Sequence, residues 1–120
     1  MRNINSLKSK DFKKVYEKGK SYANKYLIMY LLKEENIGER IGISVSKKVG
    51  NSVVRHRVTR LIRESYRLNK CLMQYSDYSI AVIARNTAKD KTFFEIESAF
   101  LHLCKLHGLI ENGKFENNKD

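Results

Sequence analysis

A chain of 120 residues, 42% of them hydrophobic, is one domain's worth of sequence with enough apolar material for a modest core. Its formal net charge of +11 and pI near 9.7 point to a polyanionic partner rather than to general solubility. Two distant cysteines, Cys71 and Cys104, exclude a disulfide framework and a thiolate metal motif.

Both thiols are expected to be free and semi-buried in a reducing compartment, and the protein to be cytoplasmic. No signal peptide is recognisable, and the longest apolar run, Tyr26 to Leu32, is of strand length rather than bilayer length. The charge is uneven. Residues 1–33 and 46–70 each carry net +7, residues 34–45 net −2 and residues 71–120 net −1. Two basic blocks on an otherwise near-neutral chain favour a binding face.

Residues 1–8 are polar and basic, with a loose start. Ser9 is the expected helix cap, Asp11 suits the first turn, and Phe12, Val15 and Tyr16 form one apolar stripe that Gly19 ends. Tyr22 to Leu32 reads as a central strand, with Tyr26, Ile28, Tyr30 and Leu32 on one face and Leu27, Met29 and Leu31 on the other. Residues 34–38 read as a hairpin connection to a partner strand over Arg40 to Ser46. That strand sets Ile41, Ile43 and Val45 against Gly42, Ser44 and Ser46, and the small residues leave room for a close approach.

Asn51 caps the next expected helix, which runs to about Asn69. At about 100° per residue, Val54, Val58, Leu61, Ile62, Ser65, Leu68 and Leu72 fall on one side. His56, Arg60, Arg63 and Arg67 fall on the other, flanked by Arg55 and Arg57. Asp77 to Arg85 is a further strand, and Lys89 to His107 a further helix with Phe93, Ile96, Phe100, Leu103 and His107 inward and Gly108 as its stop. Residues 111–120 form a polar tail expected to be disordered, leaving residues 1–110 as a single domain. The order is αβββαβα, or αββαβα if the first extended stretch is unbroken. Either is an α+β sandwich of sheet and helices, in which the strands flanking the arginine helix are expected to be parallel.

The arginine ridge is the strongest functional signal. Guanidinium groups make planar multi-donor contacts to phosphate, and a stripe of them can follow a nucleic-acid backbone. A solvated helix laced with ion pairs would need glutamates among the arginines, and only Glu64 is there. Lys47 and Lys48 precede the helix start at Asn51 and Ser52, where free backbone N–H groups also suit a phosphate. Phe12, Tyr16, Tyr26 and Tyr30 are either core or a stacking surface for unpaired bases. His56, His102 and His107 have no metal-site spacing, and no nucleophile elbow or buried carboxylate pair is present. Catalytic residues are therefore not expected.

The stretch from Ser44 to Glu64, SVSKKVGNSVVRHRVTRLIRE, resembles the signature S-x-S-K-K-x-G-N-A-V-x-R-N-R-x-K-R-x-x-R of the bacterial ribonuclease P protein family. The likeness extends to residues 10–19 and 78–85, and spans roughly residues 5–107. It implies a fold like the second domain of ribosomal protein S5, with a left-handed βαβ crossover, where the general rule gives a right-handed one. It also implies the protein subunit of an endoribonuclease whose RNA subunit is catalytic and holds the Mg²⁺ ions. The enzyme removes the 5′ leader of precursor tRNA, and the protein improves substrate and metal binding. Its partners would be the catalytic RNA and the leader, with no membrane and no obligate protein partner.

By this resemblance Arg55, His56, Arg57, Arg60, Arg63 and Arg67 lie against the catalytic RNA. Phe12, Tyr16, Ile28, Tyr30, Ser46, Lys47, Lys48 and Arg85 line a cleft for the single-stranded leader. Two departures bear on RNA contacts: His56 replaces the motif's middle Asn, and Asn86 stands where lysine is common. Tyr16, where phenylalanine is common, keeps an aromatic face. The alternatives are a ribosomal or ribosome-assembly protein, which needs no single-strand platform, and a DNA binder, which would show a dimerisation patch or Asn and Gln among the arginines.

Overall fold

In the computed structural model, which describes residues 5–111, the chain runs β1 (Asn5–Ser6), α1 (Ser9–Lys18), β2 (Lys20–Ala23), β3 (Leu27–Leu32), β4 (Glu39–Ser44), α2 (Ser52–Asn69), β5 (Tyr78–Ala84) and α3 (Phe93–Leu106). Single 3-10 turns cover Lys70–Leu72 and Asn86–Ala88. The strands form one mixed sheet in the order β1-β4-β5-β3-β2. The expected αβββαβα order holds, with the two-residue β1 added parallel to β4 at one edge. The loose start falls on residues 1–4, and all of the tail after Glu111 likewise lies outside the described residues.

The long extended stretch is broken. Asn24 Oδ1 accepts the backbone N–H groups of Tyr26 and Leu27 at 3.2 and 3.0 Å, closing a turn that folds β2 antiparallel onto β3. Periodicity alone could not show this, because alternation continues across the turn. The residues of β3 then alternate as expected: Leu27, Met29 and Leu31 are buried, and Ile28, Tyr30 and Leu32 half-buried.

The segment 34–38 is not a hairpin connection. β5 lies between β3 and β4, antiparallel to the first and parallel to the second. The connection crosses over the end of β5, with Asn36 and Gly38 at positive φ. Gly38 donates to Asp77 Oδ1 at 2.8 Å and accepts the N–H of Tyr78 at 2.9 Å, which ties the start of β5 beside the start of β4. The central strand is therefore β5, in which every residue but Ile83 is buried. The parallel relation of β4 and β5 around α2 agrees with the sequence reading.

Strand alternation divides the core into two layers. On one face α2 and α3 cover Leu27, Met29, Ile41, Tyr78, Ile80 and Val82 with Val58, Ile62, Tyr66, Ile96, Phe100 and Leu103. Tyr66 and Tyr78 share a buried hydrogen bond between hydroxyls at 2.8 Å. Tyr66, rather than Leu68 or Leu72, completes the inward face of α2: the buried set Val58, Ile62, Ser65 and Tyr66 is turned away from Leu68, and Leu72 lies beyond α2 in the 3-10 turn, so both leucines are exposed. On the opposite face α1 lays Phe12 and Val15 over Tyr30, Leu32 and Ala81.

The caps are mostly as read. Asn51 Oδ1 accepts the N–H of Val54 at 3.0 Å, and Gly108 (φ +75°) ends α3. Two helix starts differ. α1 is capped from Lys8, whose N–H reaches Asp11 Oδ2 at 3.4 Å, so Ser9 is already helical. α3 begins at Phe93, where Thr92 and Glu95 cap each other in a capping box. Cys104 is buried, which pushes its thiol up to about 12, whereas Cys71 is exposed because it sits in the 3-10 turn after α2.

Candidate nucleic-acid interface

α1 covers only part of its sheet face. Its N-terminal end is pinned by Arg40 on β4, whose Nη1 contacts Asp11 Oδ2 at 3.2 Å and whose Nη2 donates to Ser79 Oγ at 3.1 Å. Its C-terminal end is fixed at Gly19, where a Cβ would lie 2.8 Å from the Leu31 carbonyl oxygen and 2.6 Å from that of Val15. Between these anchors Phe12 and Tyr16 turn toward the sheet. A Cβ at Gly42 would lie 2.2 Å from Phe12 Cζ, so glycine is what lets the ring rest on β4. Phe12 and Tyr16 have ring centroids 5.9 Å apart, and Tyr16 meets Tyr30 edge-on at 4.9 Å. Tyr16 remains 38% exposed, so this aromatic set is open to solvent on one side. Partial burial, and next the neighbouring Tyr30, hold the Tyr16 phenol above its ordinary pKa.

Beyond the rings, the register places Ile28, Ile83 and Ser44 side by side on the same face. Ile28 and Ile83 are half-buried and belong to neither packed cluster. They floor a groove whose wall is Phe12 and Tyr16. The parallel pairing of β4 and β5 sends Ser46, Lys47, Lys48 and Arg85 out of the same end of the sheet, next to Ile28 at the start of β3. Lys47 and Lys48 are exposed on a turn that buried Val49 anchors and that Ser46 closes, its Oγ accepting the Lys48 N–H at 3.3 Å. Arg85 is steered by Asn24, whose carbonyl accepts from Nη1 at 2.8 Å. The tertiary structure thus brings Phe12, Tyr16, Ile28, Tyr30, Ser46, Lys47, Lys48 and Arg85 to one groove and its rim.

The arginines of α2 lie on the other side of the sheet. His56, Arg57, Arg60, Arg63 and Arg67 are exposed. Arg67 is held by Glu64, with Nε donating to Oε1 at 3.0 Å, and the same pairing keeps the Glu64 carboxyl below its ordinary pKa. Arg57 Nη2 donates to the Lys91 carbonyl at 2.8 Å, and Arg55 Nε to that of Gly50 at 3.3 Å. Among the described residues, Arg60 and Arg63 have no hydrogen-bond or ion-pair partner. Their guanidinium donors are available to an external phosphate.

Sequence reasoning missed Ile83 and Asn24 at this site. The strand alternation through Ala81 and the turn-forming habit of Asn were the available signals. It left open whether Tyr26 is core or part of a stacking surface. The turn at residues 24–26 packs Tyr26 against the α3-side core. Among the described residues no three His, Cys, Asp or Glu side chains gather as a metal site would require, and no helix is long and apolar enough to cross a membrane.

Comparison with known proteins identifies relatives over nearly the whole chain. The ribonuclease P family model matches residues 1–107. The chain is 55% identical over 110 residues to the ribonuclease P protein component of Lachnoclostridium phytofermentans, covering 92% of this chain and 94% of that one. It is 52% identical to the same component of Alkaliphilus oremlandii, covering 93% and 98%. The solved structure of the Staphylococcus aureus RNase P protein superposes with a TM-score of 0.82 at 36% identity, covering 91% of this chain and 100% of that one.

Proposed function

The chain belongs to the ribonuclease P protein family, as a subunit of the tRNA-processing ribonucleoprotein with an RNA partner, and from this premise we propose how its two faces divide the work. The groove between α1 and the sheet takes the single-stranded 5′ leader of precursor tRNA. Bases stack on Phe12, Tyr16 and Tyr30 and lie over Ile28, while Lys47, Lys48 and Arg85 meet the phosphates. The outward face of α2, with Arg55, His56, Arg57, Arg60, Arg63 and Arg67, docks on the catalytic RNA. The RNA subunit performs the cleavage and mainly holds the Mg²⁺ ions, whose chemistry is to activate water and stabilise charge at the scissile phosphate. The protein acts in the cytoplasm by holding substrate against the ribozyme, which improves both substrate and Mg²⁺ affinity.

One observation carries this reading. An open aromatic groove and an exposed arginine ridge lie on opposite sides of one sheet and meet at the Lys47–Lys48 turn, which leads from β4 into α2. A binder of folded RNA alone has no use for the exposed Tyr16 edge. The test combines the protein with a bacterial ribonuclease P RNA and precursor tRNA at low Mg²⁺. Accelerated 5′ cleavage is expected, and Phe12→Ala should weaken leader-bearing substrate while sparing mature tRNA. Equal weakening of both would overturn the leader groove.

A further inference from the structure

A second aromatic and basic surface lies just across the turn from the groove. Phe94, on the first turn of α3, is 75% exposed although it is a large apolar side chain. It contributes to no core cluster, and its ring meets Phe93 edge-on at 5.6 Å. Facing α3, the β2–β3 turn presents Tyr26, with the ammonium groups of Lys25 and Lys91 5.5 and 5.4 Å from its ring centroid. Between turn and helix runs an open channel of about 410 Å³, lined by Asn24, Lys25, Tyr26, Phe94, Ser98 and His102 among others. Its one lining carboxylate, Glu95, accepts from the N–H and hydroxyl of Thr92, and these bonds, with the weaker pull of Lys91 and Lys25, hold it below its ordinary pKa. Among the described residues, neither Lys25 nor Lys91 is in an ion pair.

We propose that this channel is a second single-strand site, which receives the nucleotides of the leader that lie upstream of those in the α1 groove. This rests on the leader reading above. The chemistry favours an unpaired strand: the exposed Phe94 ring offers a stacking face that any base can use, beside the half-buried Tyr26, and the flanking lysines offer phosphate contacts. Asn24 and His102, hydrogen-bonded to each other at 3.1 Å, supply polar groups at the channel wall. Continuity selects the leader as the source. The Asn24 carbonyl holds Arg85 at the end of the groove, while the Asn24 amide donates to the Ala99 carbonyl on α3 at 2.9 Å. A strand passing Arg85 therefore has only this one turn to cross before reaching Tyr26 and Phe94. Tyr26 is placed by the turn, not by the cleft it would have joined had β2 and β3 been one strand.

The test measures holoenzyme affinity for precursor tRNAs with leaders of about 4 and about 16 nucleotides, the range of site sizes for one small single-strand-binding fold. Phe94→Ala, at an exposed position that leaves the core untouched, should weaken the long-leader substrate about fivefold or more, the loss of one base stack. It should leave the short-leader substrate unchanged. Lys25→Glu should act in the same direction and steepen as salt is lowered. No length-dependent loss in either variant overturns the second site. Equal loss at both lengths also overturns it, and assigns Phe94 to the catalytic RNA instead. A Phe12→Ala variant is run in parallel as the report on the groove itself. Loss with Phe12→Ala but no length dependence with Phe94→Ala removes the second site and keeps the groove, whereas a silent Phe12→Ala removes the groove.

Discussion

Replacing Gly42 with alanine tests how the proposed leader groove is built. The added Cβ would stand 2.2 Å from Phe12 Cζ and 2.8 Å from both Cε atoms. Carbon–carbon contact needs about 3.5–4.0 Å, so the ring must retreat by roughly 1.3–1.8 Å. It has little freedom to do so, because α1 is held at both ends by Asp11 on Arg40 and by Gly19 against the carbonyl of Leu31. Overpacking of this kind costs about 1–3 kcal/mol. Gly42 does not have positive φ, so alanine also stiffens the unfolded chain, which offsets about 0.4–1 kcal/mol. A net loss of roughly 0.5–2 kcal/mol is expected in chemical denaturation. In a Phe12→Ala background the clash is gone, and Gly42→Ala should be neutral or slightly stabilising. A double-mutant cycle isolates that coupling. The second readout is binding: a displaced Phe12 loses a stack of about 1–3 kcal/mol, which weakens leader-bearing substrate by roughly 5- to 150-fold and leaves mature tRNA unaffected. An equal stability cost of Gly42→Ala in both backgrounds would refute the packing argument.

Arg60→Ala with Arg63→Ala should weaken assembly with the catalytic RNA and flatten its log–log salt dependence by roughly 1–2, about 0.9 per lost phosphate contact. The change in folding stability should stay within about 0.5 kcal/mol, since both side chains are exposed; an unchanged salt slope would count against the docking face. Tyr66→Phe strands the Tyr78 hydroxyl in the core and should cost about 1–3 kcal/mol, whereas changing both tyrosines should cost less than the two single losses together. Denaturant titration of the three variants decides it. For His107, burial holds the imidazole below its ordinary pKa of 6.5, against the opposing hydrogen bond to the Met29 carbonyl, and Lys20 and Lys33 push the same way as burial. The unfolded chain then binds a proton that the native state does not. Stability is therefore full above about pH 6.5 and falls as pH is lowered through the window below it. His107→Gln should flatten the decline between about pH 7 and pH 5, measured as unfolding free energy against pH, and an unaltered slope would exclude His107 as its source.

Much of the fold was written locally. The stripe of Phe12, Val15 and Tyr16, the Asn51 cap, the alternation in β3 and the Gly108 stop each depend on neighbours within a turn or two, and each was found where read. The arginine ridge was legible for the same reason: helical spacing alone puts Arg60 and Arg63 opposite Val58 and Ile62. What failed involved distant partners. The insertion of β5 between β3 and β4 depends on contacts 39 residues apart at Gly38 and Asp77, and the exposure of Leu68 on which face of α2 packs against the sheet and α3.

The site divides along the same line. Residue type and spacing by themselves determined the basic helix face, the lysine turn and the aromatic stripe of α1, because charge and periodicity are properties of the chain. Only the tertiary structure decided that Tyr26 leaves the groove aromatics for the other face, that Gly42 seats Phe12, and that Ile83 and Ser44 join Ile28 on its floor. Those placements follow from strand order and register, which a one-residue slip would reverse side by side and which no local pattern encodes.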